Sequence, residues 1–431
     1  MSFPIILAGV SETIVDITDT IFLAHYGTTE LAAIGMADAI YGLSLFLILG
    51  LVDGIQIIIG RRSGEEQVLE IGKIFNQGAY LLALSALLMI FVLVLLVPGI
   101  TAQVLVSESI HITVNNYLQI ASYALFFQSI NLALSAFYVG ISKTRILLGA
   151  ALVLAVTNIT LDYLLIFGQL GLPELGIKGA AIATLTAEIA TFLFLFLDVI
   201  KKRYHRIYGL FQFDKWNAEL TRHLLFISMP VSLDALIDMA KWLLLILIIE
   251  QLGENTLASA NIIFSCYALF LIPVESFSET ICSMVSNLIG QKKTHELKVF
   301  IRRTIKLCYA IVAPMLVLTM MYPEYVLSIF TPDEMMIKAS HYGLLVITLA
   351  TVIAVPADAY YSAVAGTGDT RVTFLFQLII TTVSLVYAWY AAIHLGLALE
   401  YILLSEIIGW IVCLLLSWWW FRSGYWRWLK I

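Results

Sequence analysis

The chain has 431 residues, of which 61% are hydrophobic and only 13% charged; its net charge is −6 and its mean hydropathy +0.95. No soluble globular protein of this length has that composition. The sequence contains no GxGxxG, P-loop, H-E-x-x-H or G-x-S-x-G motif, so no nucleotide-driven, metalloprotease or serine-hydrolase chemistry is expected, and the chain is not expected to be an enzyme.

A membrane-spanning helix needs roughly 20 apolar residues. Twelve such stretches follow one another near 3–25, 33–59, 74–97, 113–138, 146–168, 176–198, 225–251, 259–285, 300–322, 341–365, 373–395 and 398–421. Runs such as 243–249 do not alternate in polarity, which excludes a β-barrel. The first stretch opens at Ser2 without a basic segment or a small-residue cleavage site, so it is expected to be a retained helix and not a signal peptide. Within it, Glu12, Asp16 and Asp19 are spaced by four and then three residues and share one helical face. The fifth stretch carries Asn158 and Asp162 one turn apart, the seventh Asp234, Asp238 and Lys241, the eighth Glu275 and Glu279, and the tenth Asp358. The four cysteines (Cys266, Cys282, Cys308, Cys413) all fall within spans and form no C-x-x-C pair, and no two histidines sit together mid-span. Neither a disulfide nor a metal site is expected, apart from a Na⁺ held at the acids discussed below.

The chain contains itself twice. A shift of 226 carries residues 3–64 onto 229–290 without a gap, with Pro4 on Pro230, Gly27 on Gly253, Tyr41 on Tyr267 and Gly64 on Gly290. The same shift carries Gly140, Thr144 and Arg145 onto Gly366, Thr370 and Arg371. The predicted organisation is a six-helix lobe at 1–200, a connector at 201–223 and a second six-helix lobe at 224–431. Because six is even, both halves enter the membrane in the same sense, giving a parallel repeat about an axis along the membrane normal. The connector is the longest polar stretch and mixes basic residues with Tyr204, Tyr208, Phe211, Phe213 and Trp216, which predicts an interfacial cytoplasmic segment. Basic residues concentrate on one side: Arg61, Arg62 and Lys73; Lys143 and Arg145; those of the connector; Lys292 through Lys306; Arg371; and Arg422, Arg427 and Lys430 in the tail. The opposite side holds only Lys178 and Lys338. This bias predicts both termini in the cytoplasm.

A charge at the centre of a membrane helix costs about 2.5–3.5 kcal/mol on insertion scales, so the intramembrane acids are the candidate functional residues. Carboxylates with amide or hydroxyl oxygens nearby suit a hard cation such as Na⁺. Two buried acids close together cannot both ionise cheaply, so one of them can carry a proton. The alternative for Asp234, Asp238 and Lys241 is an internal ion pair within the seventh helix. The first half's spans carry basic residues only at their ends, His25 and Lys178, and none mid-span beside Asp19 or Asp162, which favours a functional reading for these two acids.

Several segments resemble the multidrug and toxic compound extrusion (MATE) transporter family. Val15-Asp16-Ile17-Thr18-Asp19-Thr20-Ile21-Phe22 with Gly27 and Leu31-Ala32-Ala33-Ile34-Gly35 is similar to that family's first-helix signature. Asn158-Ile159-Thr160-Leu161-Asp162 resembles its fifth helix, Pro173-Glu174-Leu175-Gly176 its following loop, and Gly366-Thr367-Gly368-Asp369-Thr370-Arg371 the end of its tenth helix. The resemblance implies an all-α polytopic fold of twelve transmembrane helices in two six-helix bundles. It implies that Asp19, Asn158 and Asp162 form a cation- or proton-coupling site, with Thr184, Asn131 and Asp16 as further members and Pro4 at a helix bend. Glu12, Asp234, Asp238, Asp358 and Lys241 are then candidates for the substrate cavity or for a second-lobe site. There are departures: the family's tenth-helix acid falls on Ala354, with Asp358 one turn on, and Lys241 is not part of the family pattern. The chain is also short before its first helix. The implied function is secondary active efflux of amphipathic, cationic small molecules in antiport with Na⁺ or H⁺, by a monomer in the inner membrane with no other cofactor and no nucleic-acid partner. The rival readings are a lipid-linked oligosaccharide flippase, which would line its cavity with several basic residues, and an uncoupled receptor or channel.

Overall fold

The computed structural model describes residues 2–105, 107–212 and 215–428. Phe213 of the connector and Lys430 of the tail lie outside them. The described chain is helical from end to end: α1 (Ser2–Tyr26), α2 (Thr28–Gly64), α3 (Val68–Phe91), α4 (Glu108–Ala121), α5 (Ala124–Gly140), α6 (Arg145–Ile166), α7 (Ile177–Lys201), α8 (Ala218–Glu250), α9 (Glu254–Gly290), α10 (Leu297–Met321), α11 (Glu334–Gly366), α12 (Thr370–Trp389) and α13 (Leu404–Ser423). Among the described residues nine helices are long and apolar enough to cross a membrane, and the bent pair α4–α5 makes ten. The 25-residue α1 and 33-residue α8, which carry the predicted charged faces, complete the twelve.

The repeat survives into backbone geometry. The shift of 226 carries the bounds of α2 onto those of α9, and the start of α4 and end of α5 onto the start and end of α11. Left-handed backbone recurs at the same shift in Glu66 and Lys292, in Ser142 and Gly368, and in Leu170 and Gly396. The halves differ where α11 runs unbroken but its counterpart bends by 47° between α4 and α5. There the Ser122 hydroxyl donates to the Gln119 carbonyl, and such local side-chain bonding competes with the helix ladder.

The chain divides into two compact units, Phe3–Ser232 and Leu233–Ile431. The division falls inside α8, later than the predicted start of the second half at 224. Its first turns belong to the first unit because the hydroxyls of Ser228 and Ser232 reach the carbonyls of Leu51 and Leu47 in α2. The connector also packs onto the first unit. Asn76 of α3 donates to Gly209 O and accepts from Phe211 N, and Gln77 brackets Lys215 O and Asn217 N in the same way. Phe137 meets the rings of Tyr204 and Tyr208, and Phe75 that of Phe211. The segment predicted to lie at the membrane interface thus sends three of its rings inward.

α1 is two-faced. Val10, Ile14, Ile17 and Ile21 are exposed along one stripe, as a lipid-facing surface requires. Glu12, Asp16 and Asp19 occupy the opposite side of the helix. Pro4 stands in the first turn of α1, where proline costs the helix no internal hydrogen bond.

Gly140 and its repeat mate Gly366 end α5 and α11 at close helix crossings. A Cβ at Gly366 would fall on the Cys282 carbonyl oxygen of α9, whose backbone cannot yield cheaply. Replacing Gly366 by Val should therefore destabilise the protein by roughly 1–3 kcal/mol. Thermal unfolding in detergent would register this as a lowered midpoint. Gly35→Ala, where nothing lies within 4 Å, should leave that midpoint unchanged or raise it slightly.

Candidate functional site

Asn158 and Asp162 project from one face of α6 and are 2% and 0% exposed. Asp19 of α1 is half-buried, and its carboxyl group meets that of Asp162. The Asn158 amide takes the orientation its neighbours demand, since its oxygen would otherwise face two carboxylates. Its nitrogen then donates to Asp19 Oδ1 at 3.0 Å and to Asp162 Oδ2 at 2.9 Å. Asp162 Oδ1 is buried with no N–H or O–H donor. Among the described residues every ion pair involves other carboxylates, so no Lys, Arg or His neutralises Asp19 or Asp162. Two acids, one amide and one undonated oxygen form a donor set that suits a proton or a small hard cation.

The remaining first-lobe acids grade from this buried pair to open surface. Asp16 and Glu12 are exposed on α1, and Glu12 is an electrostatic neighbour of Asp16. Asp38 of α2, also exposed, faces both Asp16 and Asp19. Asp16 therefore stands on the open side of the cluster. Two residues implied by the resemblance have other partners. Asn131 of α5 donates to Glu188 Oε2 at 2.7 Å and to Glu188 O at 3.0 Å, with its own oxygen undonated. Thr184 of α7 donates to Ala180 O in its own helix and meets the Tyr117 phenol of α4.

The second-lobe acids are spoken for differently. Lys241 does not pair within its own helix: its Nζ lies 2.9 Å from Glu406 Oε1 and 3.1 Å from Oε2, on α13. Asp234 accepts from the Tyr361 hydroxyl at 2.6 Å, and Asp238 from Gln377 Nε2 at 2.9 Å. Asp358 is hydrogen-bonded to Ser278 and faces Asp238, and Glu275 faces both of these aspartates. Ala354, at the place of the family's second acid, is fully buried. Among the described residues no group of three His, Cys, Asp or Glu side chains is arranged to hold a metal ion.

Four intramembrane acids escaped the sequence reading: Asp38 and Asp53 in α2, Glu188 in α7 and Glu406 in α13. Each is a lone acid in its stretch or has no i+3 or i+4 charged neighbour, so face-sharing did not single it out. Listing every acid inside a predicted span would have found all four.

Comparisons with known proteins point one way. The family model described as MatE matches residues 4–164 and again 230–390, two matches offset by the repeat's own shift. The chain is 26% identical over 420 residues to "Probable multidrug resistance protein YoeA" of Bacillus subtilis, covering 94% of this chain and 87% of that one. It is 23% identical over 278 residues to "Probable multidrug resistance protein NorM" of Neisseria meningitidis serogroup A, covering 63% and 60%. The crystal structure of a point mutant of the Vibrio cholerae MATE transporter VcmN matches with TM-score 0.91 at 17% identity, over 100% of this chain and 97% of that one.

Removing the Asn131 amide leaves the Glu188 carboxylate buried and unpaired. Asn131→Leu is therefore expected to cost about 1–3 kcal/mol, whereas Asn131→Leu combined with Glu188→Leu should recover most of the loss. A double-mutant cycle on unfolding midpoints in detergent measures both. Additive effects of the two substitutions would refute the pairing.

Proposed function

The chain belongs to the MatE family, and from that premise we propose that it is a secondary active exporter of amphipathic, cationic small molecules, driven by inward exchange of Na⁺ or H⁺. The observation that carries the proposal is the Asn158 amide joining Asp19 to the fully buried Asp162 with no basic side chain to neutralise them. Charges so placed need a mobile partner, because an uncompensated carboxylate at membrane depth is costly.

The coupling ion is cargo, and the residues that handle it are these three. With both acids free of the ion, the Asn158 amide presents N–H groups to them. When a proton or Na⁺ enters, a half-turn of the amide presents its oxygen instead, so one side chain serves the empty and the occupied site. Neutralising the pair changes which helix packing is favoured, and transport follows as a shift in population between packings. Asp38 and Asp16, exposed beside Asp19, supply a line of carboxylates by which the ion reaches Asp162 from water. The first lobe's acids and the 12% aromatic content would attract organic cations by charge and by ring faces. The protein is read as a monomer of the inner membrane, and the basic-residue asymmetry supports both termini in the cytoplasm. A lipid-linked sugar flippase needs free cations in its cavity to meet phosphate, and Lys241 is engaged by Glu406.

Asp19→Asn and Asp162→Asn should each abolish drug resistance in a sensitive host at wild-type membrane abundance. In proteoliposomes, efflux by the wild-type protein should follow an imposed Na⁺ or proton gradient, and each substitution should remove that dependence. Full resistance in both variants would overturn the assignment.

A further inference from the structure

The internal repeat allows the coupling site to be looked up in the second lobe. The shift of 226 carries Asp19 onto Leu245, Asn158 onto Ser384 and Asp162 onto Ala388. Leu245 and Ala388 are 2% and 0% exposed and belong to one apolar cluster with Ile249, Ile263 and Ile347. Ser384 is buried with its hydroxyl undonated, facing Gly409. The position that holds two acids and an amide in the first lobe is therefore closed in the second and carries no ionisable side chain. One turn before Leu245, Lys241 reaches across to both carboxylate oxygens of Glu406.

We propose that Lys241 is a tethered cation, standing permanently on Glu406 one turn from the repeat counterpart of the first lobe's coupling site, so that this position takes up no exchangeable ion and the one ion moved in each transport cycle is the first lobe's. The geometry fits the role. The ammonium is held by both Glu406 oxygens, with the Lys241 and Glu406 side chains 14% and 8% exposed. The other titratable groups facing the pair are Asp238 from its own helix, which is exposed and bonded to Gln377, Cys413 from α13, and Tyr267 from α9. None of these supplies a second cation, so Glu406 depends on Lys241 for its neutralisation.

The inference rests on the exporter reading, and one set of measurements separates the two. Efflux from proteoliposomes is recorded against the concentration of the driving ion. The wild-type protein should respond with a Hill slope of about one. Lys241→Met strips Glu406 of its counter-ion, and the slope should rise toward two as that carboxylate recruits an ion. Lys241→Arg should keep the slope at one. In case Lys241→Met does not fold, Lys241→Met with Glu406→Leu replaces the pair by apolar side chains, a change that buried pairs commonly tolerate, and it should transport with a slope of one. Unchanged slope in an active Lys241→Met, or loss of ion-coupled efflux in the folded double variant, overturns the tethered-cation role while leaving the exporter reading intact. A wild-type protein whose efflux ignores both ion gradients would overturn the exporter reading and this inference together.

Discussion

A carboxylate with no exposure, within the last turns of a membrane-spanning helix, constrains everything around it. Asp162 cannot be left charged and alone at that depth. Its N–H donor is the Asn158 amide one turn away on the same helix, and that amide is shared with Asp19 of α1. The two-faced character of α1 follows, since its acids must face protein and water while Val10, Ile14, Ile17 and Ile21 face lipid. The line of acids from Asp38 and Asp16 to Asp19 and Asp162 then runs from exposed to fully buried within one lobe. Each step inward increases the cost of charge and the need for an exchangeable partner.

The two lobes repeat one backbone but not one set of charges. Helix ends and left-handed residues recur at a constant shift, as Glu66 with Lys292 and Ser142 with Gly368 demonstrate. Polar chemistry diverges at the positions where it matters most. The first lobe keeps Asp19, Asn158 and Asp162; the second has Leu245, Ser384 and Ala388 at the same places and closes its buried charge internally through Lys241 and Glu406. A duplicated fold preserves what packing requires, because helix crossings such as those at Gly140 and Gly366 leave no space for change. Ionisable side chains are freer to vary, provided each buried charge finds a partner.

This division also marks what could be read in the residues beforehand. Spans, repeat and the acidic face of α1 depend on local periodicity and were legible. So was the meeting of Asp19 with Asp162, through family resemblance and the lack of any nearby base. Long-range pairing was not. Spacing of three and seven suggested Asp238 or Asp234 as the partner of Lys241, whereas the lysine reaches a glutamate 165 residues away. The resemblance implies Asn131 as a member of the coupling site, and its amide holds Glu188, an acid with no charged neighbour on its own helix face to draw attention to it. The inward packing of the connector was hidden for the same reason: Asn76 and Gln77 meet residues more than 130 positions downstream.

The central claim is that Asp162 and Asp19 exchange an ion with water. Infrared difference spectroscopy on the purified protein, stepping Na⁺ concentration or pH, tests it most directly by watching carboxyl and carboxylate bands. A band change on ion addition that disappears in Asp162→Asn and is altered in Asn158→Ala is the expected result. A carboxyl spectrum indifferent to both ions, or a response that persists in full without Asp162, would contradict it.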